Sequence, residues 1–222
     1  MSQPTVVPPG RGEVIGDSPA RRVEILGEDD AVHVTWSRFA AGREGADPHI
    51  HRLHTDIFYV LAGELTVRLG LEDRAVIVPA GRFATVPPFV VHGFRNAGDA
   101  EVRYLNFHAP GTGFADYMRG LRDGRKVAFD QEDPPDEGVR PASEAKIGDR
   151  VDVDAITIDE LSQPQDVETP ALRAYYVLEG ELTVCGVPAL TGTWVQVPRG
   201  VAHSVEFSEP ARYLAASARD DA

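Results

Sequence analysis

The chain has a single cysteine, Cys185, among 222 residues. No disulfide can close within it, and nothing points to an oxidising compartment. Long apolar runs are missing too, so no segment reads as membrane-spanning. The first nine residues carry neither a basic cluster nor a long apolar stretch and do not read as a signal peptide; the expected location is cytoplasmic. Basic residues are scarce: 22 Lys and Arg stand against 35 Asp and Glu, a formal charge of −13. A surface this acidic argues against nucleic acid and against anionic membranes as partners. Apolar content is nonetheless 42%, which places the chain among globular proteins, and its length suffices for one large β domain or two small ones.

What is present is mostly strand. Residues 22–26, 31–36, 57–61, 64–69 and 75–78 are short and β-branched, and turn residues such as Gly27, Gly63 and Gly81 separate them. Strands so short and so regularly punctuated suggest a sandwich or barrel. One helix is expected, because Phe114, Tyr117, Met118 and Leu121 recur at i, i+3, i+4 and i+7 and Gly124 is placed to end it. Its apolar face is expected to pack on the barrel. Residues 126–150 are polar and acidic, with Pro134, Pro135 and Gly138, and read as a linker.

The chain also repeats itself. The ten residues from Phe58 to Val67 return from Tyr175 to Val184, an offset of 117, and Gly81, Pro87 and His92 return as Gly192, Pro198 and His203, an offset of 111. Two blocks in the same order identify an internal duplication.

Within the first copy, His49 and His51 lie one residue apart and share a face if the segment is a strand. Asp56 follows, and His92 comes from far along the chain. Imidazoles with a carboxylate suit iron, manganese, nickel, cobalt, copper or zinc, without choosing among them.

These residues resemble the paired motifs of the cupin superfamily. The first reads His49-Ile50-His51, four residues, Asp56, six residues, Gly63. The second reads Gly81, five residues, Pro87-Pro88-Phe89, two residues, His92, three residues, Asn96. With its repeat, the chain resembles a bicupin, and the stretch from His51 to Leu65 is similar to the quercetin-dioxygenase-like group. The resemblance implies an all-β fold of two cupin (double-stranded β-helix, jelly-roll) barrels joined by a short helix and acidic linker. The expected division is an N-terminal extension at 1–20, a metal-binding barrel at 21–110, the helical and acidic linker at 111–150, and a degenerate barrel at 151–222. The resemblance further implies that His49, His51, Asp56 and His92 converge on one divalent transition metal, and that copies of the chain pair as a homodimer through exposed strands.

Two positions depart from the family pattern. Asp56 stands where Glu is usual, so its shorter carboxylate is a ligand, a proton acceptor, or neither. Phe89 stands where Gly is usual and is expected to alter a turn near the site. In the second copy, the 117 offset puts Asp166, Glu168 and Arg173 at the places of His49, His51 and Asp56, and only His203 survives. A fixed positive charge replaces the required anion, so the second barrel is expected to be metal-free.

Other side chains bear on mechanism. His54 reads as a surface or outer histidine if strand alternation continues, and as a catalytic acid or base in the pocket wall if the strand bulges. His33 and His108 read as satisfied structural histidines. Tyr104, Asn106 and Phe107 alternate after the second motif, so part of this set is expected to line the pocket. Phe58, Phe83, Phe89, Phe94 and Phe107, set against Arg52, Arg82 and Arg95, lean towards an apolar pocket. The resemblance then implies a metal-dependent dioxygenase acting on a small phenolic or enediol-like substrate, with Asp56 as proton acceptor. A non-enzymatic small-molecule-binding cupin and a metal-dependent isomerase of sugars or keto acids are the alternatives, because fold alone does not decide function.

Overall fold

The computed structural model describes residues 3–219; residues 1, 2 and 220–222 of the two outer segments lie outside them. The chain divides into two compact units, one spanning Glu13–Asp149 and the other built from the residues up to Gly12 together with those from Arg150 onward.

The Glu13–Asp149 unit contains two antiparallel sheets. The larger has seven strands in the order Lys146–Gly148, Phe83–Val86, Thr55–Ala62, Val102–Ala109, Val32–Phe39, Arg21–Asp29 and Glu13–Asp17. The smaller has three, Arg74–Pro79, Glu64–Leu69 and His92–Arg95. Apolar side chains of both, among them Phe58, Val60, Leu65, Val67, Val78 and Ala84, meet in one core. Burial of those faces drives their pairing. The strand Thr55–Ala62 lacks alternation because nearly all of it is covered on both sides.

The second unit repeats this plan. Trp194–Val197, Arg173–Glu179, Arg212–Ala218 and Ile156–Leu161 follow one another in its larger sheet as Phe83–Val86, Thr55–Ala62, Val102–Ala109 and Val32–Phe39 do in the first. Gly63 and Gly180, equivalent in the repeat, both adopt positive φ (76° and 82°). A Cβ on Gly63 would lie 2.5 Å from the Glu101 carbonyl oxygen, so the turn that closes each hairpin requires glycine.

The end segments are more structured than their composition indicates. Within the N-terminal extension, Thr5–Val7 pairs with Trp194–Val197 at the edge of the second unit's sheet, whereas Glu13–Asp17 pairs with Arg21–Asp29 in the first unit. The last linker residues, Lys146–Gly148, cover the corresponding edge strand Phe83–Val86 of the first unit. In each unit a short strand from outside the repeat thereby covers this strand. The helix forms where its period places it, Phe114–Asp123, and ends at Gly124 with φ 65° and a bond from its N–H to the Gly120 carbonyl.

Phe89 lies in the turn that Val90 N closes onto the Pro87 carbonyl. It adopts the left-handed conformation that a glycine would (φ 66°), at a cost of about 1–2 kcal/mol. Its N–H reaches the His51 carbonyl at 2.7 Å, its carbonyl accepts from Arg140 N at 2.8 Å, and Arg52 stacks over its ring at 5.5 Å. These contacts hold the turn in place and tie it to the first histidine motif.

Candidate metal centre

The local backbone aims three imidazoles at one point. His49 and His92 form a bridge between their backbones, with N···O distances of 2.8 and 2.9 Å. Ile50, between the two motif histidines, turns away and is wholly buried. Asp56 enters from the strand Thr55–Ala62, which lies between Phe83–Val86 and Val102–Ala109. Ligand atoms of His49, His51, Asp56 and His92 all lie within 4.8 Å of one another, and all four residues are buried.

The outer nitrogen of each ring settles its tautomer. His49 Nδ1 lies 2.7 Å from the Asp47 carbonyl and His92 Nδ1 2.9 Å from the Val90 carbonyl, while His51 Nδ1 bonds the Asp130 carbonyl. A carbonyl only accepts, so each Nδ1 carries the hydrogen and each Nε2 presents a lone pair. His49 Nε2 and His51 Nε2 face one another at 3.2 Å, and His92 Nε2 faces Asp56 Oδ2 at 3.2 Å. Four lone-pair atoms thus converge with no proton between them. The arrangement repels itself unless a cation lies in the middle, and the backbone carbonyls supply the outer support common to ligating histidines. The residues fit a divalent transition metal.

Electrostatics agree. Burial and the neighbouring imidazoles hold His49 down at about 3, so it stays neutral and able to ligate. Burial opposes ionisation of Asp56, and positive charge and N–H groups at His108, His51 and His92 hold its carboxyl well below its ordinary range, a role that a central cation takes over where the rings present lone pairs. Asp56 is therefore a persistent anion.

Behind the ligands runs a file of hydrogen bonds. Asn106 Nδ2 donates to Asp56 Oδ1 and, at 3.2 Å, to the Ile57 carbonyl. Its Oδ1 lies 3.1 Å from His108 Nε2, His108 Nδ1 lies 2.9 Å from His54 Nε2, and His54 Nδ1 lies 2.8 Å from Asp130 Oδ2. Both ends of this His108–His54 segment are acceptors. Two neutral rings bring two N–H groups to three junctions, so the file lacks one proton. Burial, the leading cause, holds His54 down at about 4 and His108 well below its usual value, which keeps both rings neutral.

A cavity of about 450 Å³ opens onto this centre. His49, His51, Asp56, Asn106 and His108 line it, with an aromatic wall of Phe39, Phe94, Tyr104, Phe114 and Tyr117. The helix face read from sequence as a packing surface is therefore also a cavity wall. Of the phenylalanines expected around the pocket, Phe94 alone lines it; Phe58, Phe83 and Phe107 are wholly buried. Tyr104 and Asn106 line it and Phe107 does not, as alternation requires. His54, wholly buried, is absent from the lining and sits behind His108. His33 accepts a bond from Ala115 N at 3.1 Å and anchors the helix start.

Composition concealed Asp130. It lies in the acidic stretch read as linker, yet its carboxylate accepts from Arg52 N at 2.9 Å, Leu53 N at 2.7 Å and His54 Nδ1 at 2.8 Å. Burial would raise its pKa; the two N–H groups and His54 prevail and lower it. No local signal distinguishes it from the acids around it.

In the second unit the register corrects the sequence alignment by one residue. Val167 pairs with His203 as His49 does with His92, so Val167 and not Asp166 occupies the first ligand position. The loop ahead of Arg173 is one residue shorter than its counterpart, which shifts everything before it. Arg173 does stand at the place of Asp56, flanked by Val197 and Ser217 as Asp56 is by Val86 and His108. Among the described residues, clusters able to hold a metal occur in the first unit only.

Residues 35–108 match the family model of the cupin domain. Among curated proteins no relative is found. Solved structures share the fold along nearly the whole chain. A pirin from Escherichia coli (YhhW), in complex with nickel(II), is 12% identical, covers 97% of this chain and 98% of its own, and superposes with a TM-score of 0.68. The protein Ylba from Escherichia coli is 13% identical over 99% and 92%, with a TM-score of 0.69. Salicylate 1,2-dioxygenase from Pseudoaminobacter salicylatoxidans, with gentisate, is 15% identical over 97% and 81%, with a TM-score of 0.63. Fold and site together define a cupin-fold protein with a buried histidine and aspartate cluster that can hold a divalent transition metal.

Proposed function

We propose that the protein is a metal-dependent dioxygenase acting on a small phenolic or enediol-like substrate, with His49, His51, Asp56 and His92 as the ligands. The observation that carries this reading is the placement of the four-donor cluster in an aromatic-walled cavity. Such a wall suits a flat ring and offers a sugar phosphate little, since Arg21 is the sole Arg or Lys in the lining. A salicylate 1,2-dioxygenase and a nickel-bound pirin among proteins of the same fold support it.

A bound metal of this class supplies Lewis-acid polarisation of a substrate oxygen and a centre for dioxygen chemistry. The chain's own residues do the rest. The aromatic wall orients the ring and excludes water. Asp56, held ionised, serves as the anionic ligand in preference to a free base. Asn106, which donates to Asp56 Oδ1, and His108, which lines the cavity 3.8 Å from that oxygen, orient the carboxylate, with His54 and Asp130 behind them.

The experiment is oxygen uptake by metal-reconstituted protein over a panel of flavonols, catechols and enediols. Consumption that requires both substrate and metal, and that His51→Ala abolishes, is expected. Tight binding of the same compounds with no oxygen consumed would identify a non-enzymatic binding cupin.

A further inference from the structure

The second unit keeps His203 of the four positions, with Val167 at the place of His49 and Arg173 at the place of Asp56. His203 Nδ1 lies 2.8 Å from the Val201 carbonyl, the same arrangement as His92 with Val90. The hydrogen therefore resides on Nδ1, and Nε2 is an acceptor. Tyr175 answers it: its hydroxyl lies 2.7 Å from His203 Nε2 and must donate. The lone pair that would have met a metal is thereby spent.

Arg173 lies on the same strand face as Tyr175, two residues away, with its guanidinium 5.9 Å from the ring centroid. Burial raises the pKa of Tyr175 and Tyr213, and Arg173, which hydrogen-bonds the Tyr175 hydroxyl, lowers both in part. Its cross-strand neighbours are Val197 and Ser217. No ion pair joins it to a carboxylate among the described residues, and its Nε is buried without a hydrogen-bond partner. Arg22, Arg52, Arg68 and Arg119 have acidic partners, while Arg38, Arg43 and Arg95 share an unpartnered Nε with Arg173. A half-buried guanidinium in an apolar barrel calls for a counter-charge. Every unspent polar hydrogen in the trio is on Arg173, and no lone pair points towards it from His203.

We infer that the second unit is a charge-inverted copy of the first, in which Arg173, backed by Tyr175 and His203, binds a small oxyanion at the place equivalent to the metal centre. The guanidinium fork suits carboxylate and phosphate alike.

The test follows the His203 imidazole by NMR in the full-length chain, with its signals assigned by their loss in His203→Ala. Sodium acetate and sodium phosphate are added at constant ionic strength against sodium chloride. A saturable shift with acetate or phosphate and none with chloride is expected. The acetate arm identifies a carboxylate ligand and the phosphate arm a phosphate ligand. Arg173→Gln should remove the response and Arg173→Lys weaken it about tenfold, since an ammonium lacks the fork. A response no greater than that to chloride in the wild type, or a saturable one that survives Arg173→Gln, overturns the inference. The wild-type titration decides independently of whether either variant folds.

Discussion

Replacing Asp130 with alanine perturbs the metal centre from the far side of the chain, and its cost can be worked from the structure. Three donors lose their acceptor: Arg52 N, Leu53 N and His54 Nδ1. The two backbone groups lie in an exposed turn and recover water. His54 is wholly buried and does not, although the Thr112 hydroxyl, 3.0 Å from the same nitrogen, takes part of the load. Leaving one buried donor underserved sets the loss at about 2–3 kcal/mol of stability. The turn also positions His51, whose Nδ1 relies on the Asp130 carbonyl. Loss of such outer support lowers metal affinity roughly 10–100-fold. Urea denaturation measures the first quantity and zinc competition against a chelator the second. Asp130→Asn, which keeps an acceptor, should recover much of both. An Asp130→Ala protein with unchanged midpoint and unchanged zinc affinity would refute the argument that this residue organises the centre.

Further outcomes follow from the same contacts. His54 and His49 have folded-state pKa values held down at about 4 and about 3, below the ordinary value of about 6.5. The unfolded chain thus binds more protons between those limits, and stability present above about pH 6.5 is lost as pH falls. For His54 the loss is about 3 kcal/mol, so the denaturation midpoint of metal-free protein should drop sharply between pH 7 and 4.5; a flat profile contradicts the burial argument. Asn96, almost wholly buried, donates to the carbonyls of Phe39, Ala40 and Ala100 and accepts from Gly98 N. Asn96→Ala should cost about 2–3 kcal/mol by calorimetry while leaving zinc affinity unchanged.

The cluster of His49, His51, Asp56 and His92 was legible because its spacing is rigid. A bridge between His49 and His92 and the alternation around Ile50 leave little freedom in where the rings point. The repeat was legible for a related reason, since Gly63 and Gly180 hold turns that no side chain tolerates. Asp130 was hidden because acids in a polar segment look alike until a turn brings N–H groups to one of them. The edge strands Thr5–Val7 and Lys146–Gly148 were hidden because three residues carry no period. His54 could be assigned to neither face from sequence: residues 52–53 form a bend that breaks alternation, and only the fold shows it behind His108. The one-residue slip at Val167 shows where repeat arithmetic fails, at a loop whose length differs between copies.

The central claim is that one metal centre exists, in the first unit. Its most direct test is metal quantification on purified protein before and after reconstitution with iron, manganese, nickel and zinc, together with the variants His51→Ala and His203→Ala. The account predicts about one ion per chain in the wild type, loss of that ion in His51→Ala, and full retention in His203→Ala. No bound metal under any of these conditions, or equal metal content in all three proteins, would contradict it.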